Sequence, residues 1–413
     1  MSESLRGQLA LLPSRSAEEM QLADVSGQTI HRLLGYSPSR NTFSANKDNP
    51  LAVAVVIVDE VSMIDVTLMA RLLEAVPTTA KLILLGDAQQ LPSVEAGAVL
   101  ADLAPVDREL HYSPTMAAMV QEMLPSAPAL PVTSESTALL TDRVVRLVRS
   151  HRSGPDIMAV ASMINSFMDD QEDALFTRLA QSETCTWEDA AGETPAAWWA
   201  RLDAWADQQY LDAEYRTAIL DYHVPNTMSM PCDDASANIL RHLARAKILT
   251  AIHEGRSGCD GINAYLADAL RHRFDPGSRG RYFAGAPIMV TRNDYTLDLF
   301  NGDTGVVLHD TAGGYRVAFP RGEEALLVPL DSLPEHTLAF AITVHKSQGS
   351  EYEHIMLVLP NTESSTARRL LTREIIYTGL TRAKQTAIIH GTRLAVLQAC
   401  RSRVQRDSGL SLW

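Results

Sequence analysis

Apolar positions along the first 100 residues fall into two rhythms. Leu51–Val58, LAVAVVIV, is an unbroken apolar run and predicts a fully buried strand. Asp65–Ala75 then has helical spacing, with Leu68, Met69, Leu72 and Leu73 on one face. Lys81–Leu85 is a second apolar strand, ending in GDAQQLPSV. Strand, acid turn, helix, strand, acid turn is the order of a doubly wound parallel sheet, whose ligands bind at the carboxyl ends of the strands. Upstream, residues 1–24 carry Leu5, Leu9, Leu11, Leu12, Met20 and Leu22 among polar residues and predict a helix; QTIHRLLG reads as a loop entering another.

The pattern loosens at 125–137, PSAPALPVTSEST, which reads as a linker. Helical spacing returns around Ile157–Met168, Pro195–Tyr210 and Ala235–Ala251, followed by a strand at Ala286–Val290. From Asn301 to about Pro334 the chain alternates in short strands with Gly and Asp turns, which predicts a small β-barrel insertion. Strand patterns resume in AITVHKSQGSEYEHIMLVLP and end with QTAIIHGTR.

Composition adds limits. The 413 residues are 46% hydrophobic and 21% charged, an ordinary globular balance with room for two or three domains. The net charge of −14 argues against coating nucleic acid by bulk charge, though not against a narrow, locally basic groove. The longest apolar run is too short to span a bilayer, so no membrane partner is expected. MSESLRGQLALLPS has no charged n-region followed by a long apolar stretch, so no secretory signal is expected. The four cysteines, at 185, 232, 259 and 400, suit neither a zinc framework nor a disulfide one; reduced cytoplasmic thiols are the expectation.

Several stretches carry candidate chemistry. Asp59 and Glu60 end the first strand. They can hold Mg²⁺ through water and activate a water against a phosphate, or simply cap the next helix. Gly86, Asp87 and Gln90 follow the next strand, either as a γ-phosphate sensor or as a polar turn. Thr29 and His31 can contact a nucleic-acid phosphate; a helix cap and a surface imidazole are the plainer alternative. Arg143, Arg146, Arg149 and Arg152 recur every third residue, and the first three read as a solvated helix face. Thr343-Val344-His345-Lys346-Ser347-Gln348-Gly349-Ser350-Glu351 packs small, hydroxylated and basic residues together, which suits close approach to a polyanion. In Tyr377-Thr378-Gly379-Leu380-Thr381-Arg382-Ala383-Lys384, Arg382 is either an arginine finger or a surface arginine.

Taken together these stretches resemble the ordered motif set of the superfamily 1 helicases. VVIVDE resembles motif II, GDAQQL motif III, LVRSHRS motif IV, TVHKSQGSE motif V and YTGLTRAK motif VI. TIHRLLG, DEVSMID, GDAQQLPSVEAGAVLADL, FNGDTGVV and LPEHTLAFAITVHKSQGSEYEHI are similar to the RecD family, the alpha subunits of exodeoxyribonuclease V (RecBCD).

The resemblance implies an α/β fold of two RecA-like doubly wound parallel-sheet domains. Residues 1–124 would be an incomplete domain 1A and 125–137 the linker. Residues 138–300 and 335–413 would form domain 2A, with 301–334 an SH3-like barrel insertion, 2B. It implies ATP and Mg²⁺ as cofactors, with Asp59 the metal ligand, Glu60 the catalytic base, Gln90 the γ-phosphate sensor and Asp87 beside it. Arg152 and Arg382 would complete the ATP site, Gly349 and Glu351 would couple it to the strand, and Thr29, His31, Thr343 and His345 would contact DNA. The implied partners are single-stranded DNA and RecB-like and RecC-like subunits of a heterotrimer. The implied activity is ATP-driven 5′-to-3′ movement in double-strand break repair and recombination.

One departure stands out: G-x-x-x-x-G-K-[ST] matches nowhere. In the family that loop lies just upstream of the helix that MSESLRGQLALL resembles. The expectation is therefore a chain that begins inside that helix, with weak ATP binding, no useful turnover by itself and a first sheet short of one strand.

Overall fold

The computed structural model describes residues 27–404, apart from 94, 96, 107–108, 134–139, 148–149, 212 and 363–364. The helix expected over 1–24 lies outside the described residues. The chain packs as two units, Met1–Arg149 with Val404–Trp413, and Ser150–Arg403.

In the first unit, Thr29 caps the single turn α1 (Ile30–Leu33), which runs into a hairpin of β1 (Tyr36–Ser37) and β2 (Thr42–Phe43). β3 (Val55–Val58), α2 (Val66–Ala75) and β4 (Lys81–Leu84) follow; the strands pair in parallel, from Val55 opposite Lys81 to Val58 opposite Leu84. Asp65 caps α2, accepting from the amides of Thr67 and Leu68, and Met69, Leu72 and Ala75 pack with Val56, Val58 and Val61. α3 (Val99–Leu103) and α4 (Pro114–Met123) complete the unit's described helices.

The strand expected to be fully buried is shorter than predicted and alternates: Val55 is 49% and Ile57 48% exposed. The pleat puts Val56 and Val58 on the face that packs with Met69, Leu72 and Ala75 of α2 and turns Val55 and Ile57 to the other, uncovered face. The expected boundary at 125–137 and the packing boundary after Arg149 also differ. Beyond the Pro-rich stretch, Asp142 accepts from the Ser113 amide at 2.8 Å and the Val144 carbonyl from the Tyr112 hydroxyl at 3.0 Å, which holds 140–147 on the first unit. No helix forms there. Arg143 ends a turn, Arg146 lies in irregular chain and donates to the Pro105 carbonyl at 2.9 Å, and Arg149 is outside the described residues. The three-residue spacing reflected no helix face.

The second unit opens with α5 (Pro155–Asn165), α6 (Glu172–Gln181), β5 (Cys185–Glu188), α7 (Pro195–Gln209) and α8 (Ala213–Asp221). The short strands β6 (His223–Val224) and β7 (Ser229–Pro231) lead to α9 (Asp234–Leu243), β8 (Ala246–Thr250) and α10 (Cys259–Phe274). Next come β9 (Pro287–Val290), β10 (Thr304–Asp310), β11 (Tyr315–Arg321), β12 (Glu324–Pro329), β13 (His336–Leu338), β14 (Ala341–Thr343) and β15 (Tyr352–Val358). α11 (Ser365–Leu370), α12 (Arg373–Leu380), β16 (Ala383–His390) and α13 (Arg393–Arg401) close it. Five strands pair in parallel in the order β14-β8-β15-β16-β5, the crossover topology of a doubly wound sheet.

The helix expected across Ala235–Ala251 stops at Leu243, and its second half is β8, buried at every position. A strand covered on both faces has no period-2 signature, so pattern alone cannot separate it from the helix before it. Lys247 sits inside this sheet. Its ammonium donates to the Ala339 carbonyl at 2.7 Å, and burial pulls its pKa down to about 8.

The alternating segment at 301–334 does form β10, β11 and β12, paired antiparallel, but the sheet is larger than the expected insertion. Its order is β13-β9-β10-β11-β12-β7, with β6 joined to β10, so it recruits strands from both sides. Val306, Val317 and Leu327 belong to the same apolar cluster as Ile248 and Leu266, so this sheet shares the unit's core.

The layering predicts a stability contrast. Leu357, fully buried in β15, should cost about 2–5 kcal/mol when changed to Ala. Leu394, 60% exposed, should stay within about 0.5 kcal/mol. Denaturant unfolding of the two variants measures the difference.

Candidate functional site

The carboxyl ends of β3 and β4 meet in a tight joint. The Leu85 amide donates to the Val58 carbonyl at 2.8 Å, and the Val61 amide donates back to the Leu85 carbonyl at 3.0 Å. A Cβ on Gly86 would lie 3.1 Å from the Val61 nitrogen and 2.7 Å from Leu100, so the glycine permits the contact. This sets Asp59 and Glu60 on one strand end beside Asp87 and Gln90 on the next.

Asp59 is exposed and its carboxylate accepts from the Glu60 amide at 3.0 Å. Glu60 itself holds a left-handed backbone, φ 53°, an unusual conformation for a non-glycine residue that turns the chain sharply between strand and helix. The helix-cap alternative for this pair is not realised, because Asp65 caps α2. Asp87 orders the following turn through the Gln89 amide at 2.9 Å, and its other oxygen receives the Gln90 side-chain amide at 3.4 Å. Gln90 is buried, and its carbonyl oxygen has no hydrogen-bond partner among the described residues. An exposed Asp59 and a half-buried Glu60 beside a buried, underused amide oxygen suit a hydrated metal-phosphate ligand.

In the second unit, residues far apart in sequence meet at Glu351. Its carboxylate pairs with Arg152 Nε at 2.6 Å and with Lys384 Nζ at 2.9 Å. Arg382 lies fully buried alongside, donating to the Thr378 carbonyl at 3.1 Å and the Ser350 carbonyl at 3.3 Å. Burial raises the Glu351 pKa, but the Lys384 hydrogen bond and the charges of Arg152, Lys384 and Arg382 outweigh it, and the net shift is downward. Exposed pairs of this kind contribute only about 0–1 kcal/mol to stability, so their weight is positional. Lys384 was missing from the sequence-derived residues, although it stands two positions after Arg382 in the same motif. Gly349, at φ 76°, turns the chain into this cluster, with open space where a Cβ would be.

The residues expected to touch a strand have varied settings. Thr29 caps α1, accepting from the Arg32 amide at 3.3 Å. His31 is exposed and packs edge-on against Tyr36, 5.3 Å between ring centres, with Phe43 at 5.9 Å. Thr343 is buried, its hydroxyl accepting from the Lys346 amide at 3.4 Å, while His345 is half-buried.

Two family models match parts of the chain. Residues 4–96 match the AAA domain family, and residues 338–390 match the UvrD-like helicase C-terminal domain. The RecBCD enzyme subunit RecD of Mycobacterium tuberculosis is 32% identical over 413 residues, covering 100% of this chain and 62% of the relative. The chain is similar to RecD subunits along its whole length. The RecD subunit of Haemophilus influenzae is 31% identical over 99% of this chain and 62% of its own length. The ATP-dependent RecD2 DNA helicase of Deinococcus radiodurans is 27% identical over 99% of this chain and 47% of its own length. The chain therefore spans about three fifths of the RecD subunits it matches. Among solved structures, Bacteroides Pif1 bound to single-stranded DNA aligns over 94% of this chain and 85% of its own, at 16% identity and a TM-score of 0.39. Pif1 of Candida albicans aligns over 95% and 88%, at 14% identity and the same TM-score. No helix among the described residues is long and apolar enough to cross a membrane.

The charge cluster predicts a pH signature. Glu351 has a folded pKa below its ordinary 4.5, so the stability it adds is present above that value and lost as pH falls through the lowered folded pKa. A carboxyl-resolved NMR titration should show the lowered value, and Lys384→Ala should move it back upward.

Proposed function

We propose that this chain is the motor part of a RecD-type subunit, coupling ATP hydrolysis to 5′-to-3′ movement on single-stranded DNA. The observation that carries the reading is the joint between β3 and β4, which lines up Asp59, Glu60, Asp87 and Gln90 at adjoining strand ends. Asp59 presents a carboxylate to a hydrated magnesium ion, and Glu60 accepts a proton from the attacking water. When bound, that ion neutralises charge on the phosphate oxygens. Gln90 offers its side-chain NH2, which here donates to Asp87 at 3.4 Å, to the terminal phosphate, and its carbonyl oxygen can accept from the attacking water. Arg152 and Arg382 bring positive charge, held in place through Glu351 and the Ser350 carbonyl. Thr29, His31 and His345 contact the DNA backbone, while the buried Thr343 supports the turn that carries His345 and Lys346.

The homology to RecBCD subunits supports work beside RecB-like and RecC-like partners in double-strand break repair, in the cytoplasm. The 413 residues contain no phosphate-loop signature, so turnover by this chain alone is expected to be absent. Losing one preorganised donor typically costs about 10²–10³ in rate, and here a lysine and a nest of amides are wanting together. The same observation favours a second reading, a non-catalytic DNA-binding or assembly element. The RecD2 relative leaves a third, a free-standing helicase, which purification without partners would support.

The test is single-strand-stimulated ATP hydrolysis by this chain and by the chain extended upstream with a family phosphate-loop segment. The extended protein should turn over. Glu60→Gln should lower its rate by about 10²–10⁴ with an unchanged unfolding midpoint, and Arg382→Lys by about 10³ or more. Turnover by the unextended chain would overturn the account of the phosphate cradle. No turnover by either, with DNA or partner binding indifferent to Asp59→Ala, would favour the assembly reading.

A further inference from the structure

Away from both sites, the segment after β8 folds back onto the start of α10. The Cys259 amide donates to the Ile252 carbonyl at 3.2 Å and the Asp260 amide to the His253 carbonyl at 3.0 Å. Two glycines make this possible. A Cβ on Gly258 would lie 2.3 Å from the carbonyl oxygens of His253 and Glu254, and one on Gly261 would lie 2.4 Å from the Gly255 carbonyl. These backbone bonds hold the loop against the helix, with the Trp198 indole donating to the Arg256 carbonyl at 3.2 Å, and fix where three side chains meet.

Those side chains are His253, Cys259 and Asp260, and their ligand atoms all lie within 4.8 Å of one another. His253 Nδ1 is 3.4 Å from Cys259 Sγ, and Asp260 Oδ1 is 3.8 Å from it. Tetrahedral zinc with sulfur, nitrogen and oxygen ligands needs ligand atoms about 3.3–3.6 Å apart, from its usual bond lengths. The observed spacings are close to that. Two of the donors are exposed and the thiol is buried. Beside them is a cavity of about 180 Å³, lined also by Asn263, Thr291, Thr343 and Lys346. Three protein ligands and an open fourth direction are the make-up of an accessible zinc-class site. Asp260 lies in the first turn of α10, where a carboxylate suits the helix N-terminus, and it also brings Oδ1 to 3.8 Å from Cys259 Sγ.

We propose that His253, Cys259 and Asp260 form a binding site for a divalent cation of the zinc class, with its fourth ligand supplied from the adjoining cavity. Binding replaces the S–H proton of Cys259 with a metal–sulfur bond and releases that proton to solvent; no electrons move. The consequence is a metal staple across the 252–260 loop, next to the cavity that also holds Thr343 and Lys346. The site is separate in kind from the oxygen-rich acid pair at Asp59, which suits a harder ion.

Cobalt(II) titration of the tag-free 413-residue chain tests it, because a thiolate–cobalt bond gives a charge-transfer band. One equivalent should produce that band, and zinc should bleach it. Cys259→Ser should abolish it, and His253→Ala, an exposed change, should weaken affinity at least about tenfold. Cys232→Ser and Asp59→Ala should leave it unchanged. Absence of the band, its survival in Cys259→Ser, indifference to His253→Ala, or its loss in Cys232→Ser or Asp59→Ala would each overturn the proposal.

Discussion

The close joint between the ends of β3 and β4 is the constraint on which the first site depends. Two parallel strands end in acidic turns, and Gly86 lets the second turn reach the backbone of the first. Replace that glycine with any larger residue and the Cβ meets Leu100 and the Val61 nitrogen, so the turns must separate. The left-handed backbone of Glu60 belongs to the same device, because it breaks the strand abruptly and leaves the carboxylates at the crest. Strain of this kind persists only where the surroundings hold it. Here two backbone hydrogen bonds and the packed Val61 do so.

The second unit solves a comparable problem with charge. Arg152, Glu351, Arg382 and Lys384 come from three separated stretches, and one carboxylate gathers two of the cations while a third lies buried beneath. The gain in stability is small for pairs this exposed. What the arrangement fixes is position: a guanidinium anchored at Thr378 and Ser350, and a glycine turn at Gly349 leading straight into the acid.

Much of this was legible in the residues. The acid turns after apolar runs, the helix capped at Asp65 and the strand preceding QTAIIHGTR's end all carried their own signals. The failures have physical causes. β8 is buried on both faces and lost its periodicity, so it was merged with the helix before it. β3 was expected to be covered on both sides, yet it alternates, because burial depends on neighbours that a local pattern does not contain. The arginines at 143 and 146 had helical spacing but lie in a turn and in irregular chain, where Arg146 reaches the distant Pro105 carbonyl. At the site, the motifs located Glu351 and Arg382, but Lys384 became visible only when its ammonium was seen on the carboxylate. The cysteine count suggested no metal site because two of the three converging donors are not cysteines.

The central claim is that nucleotide chemistry and strand contact are coupled in one motor. The direct measurement is the affinity of a non-hydrolysable Mg-ATP analogue for the chain extended with a phosphate-loop segment, with and without a single-stranded oligonucleotide. Coupling requires the oligonucleotide to shift nucleotide affinity, by about 5–150-fold in typical cases, and the nucleotide to shift oligonucleotide affinity by the same factor. Two affinities that ignore each other would contradict the account.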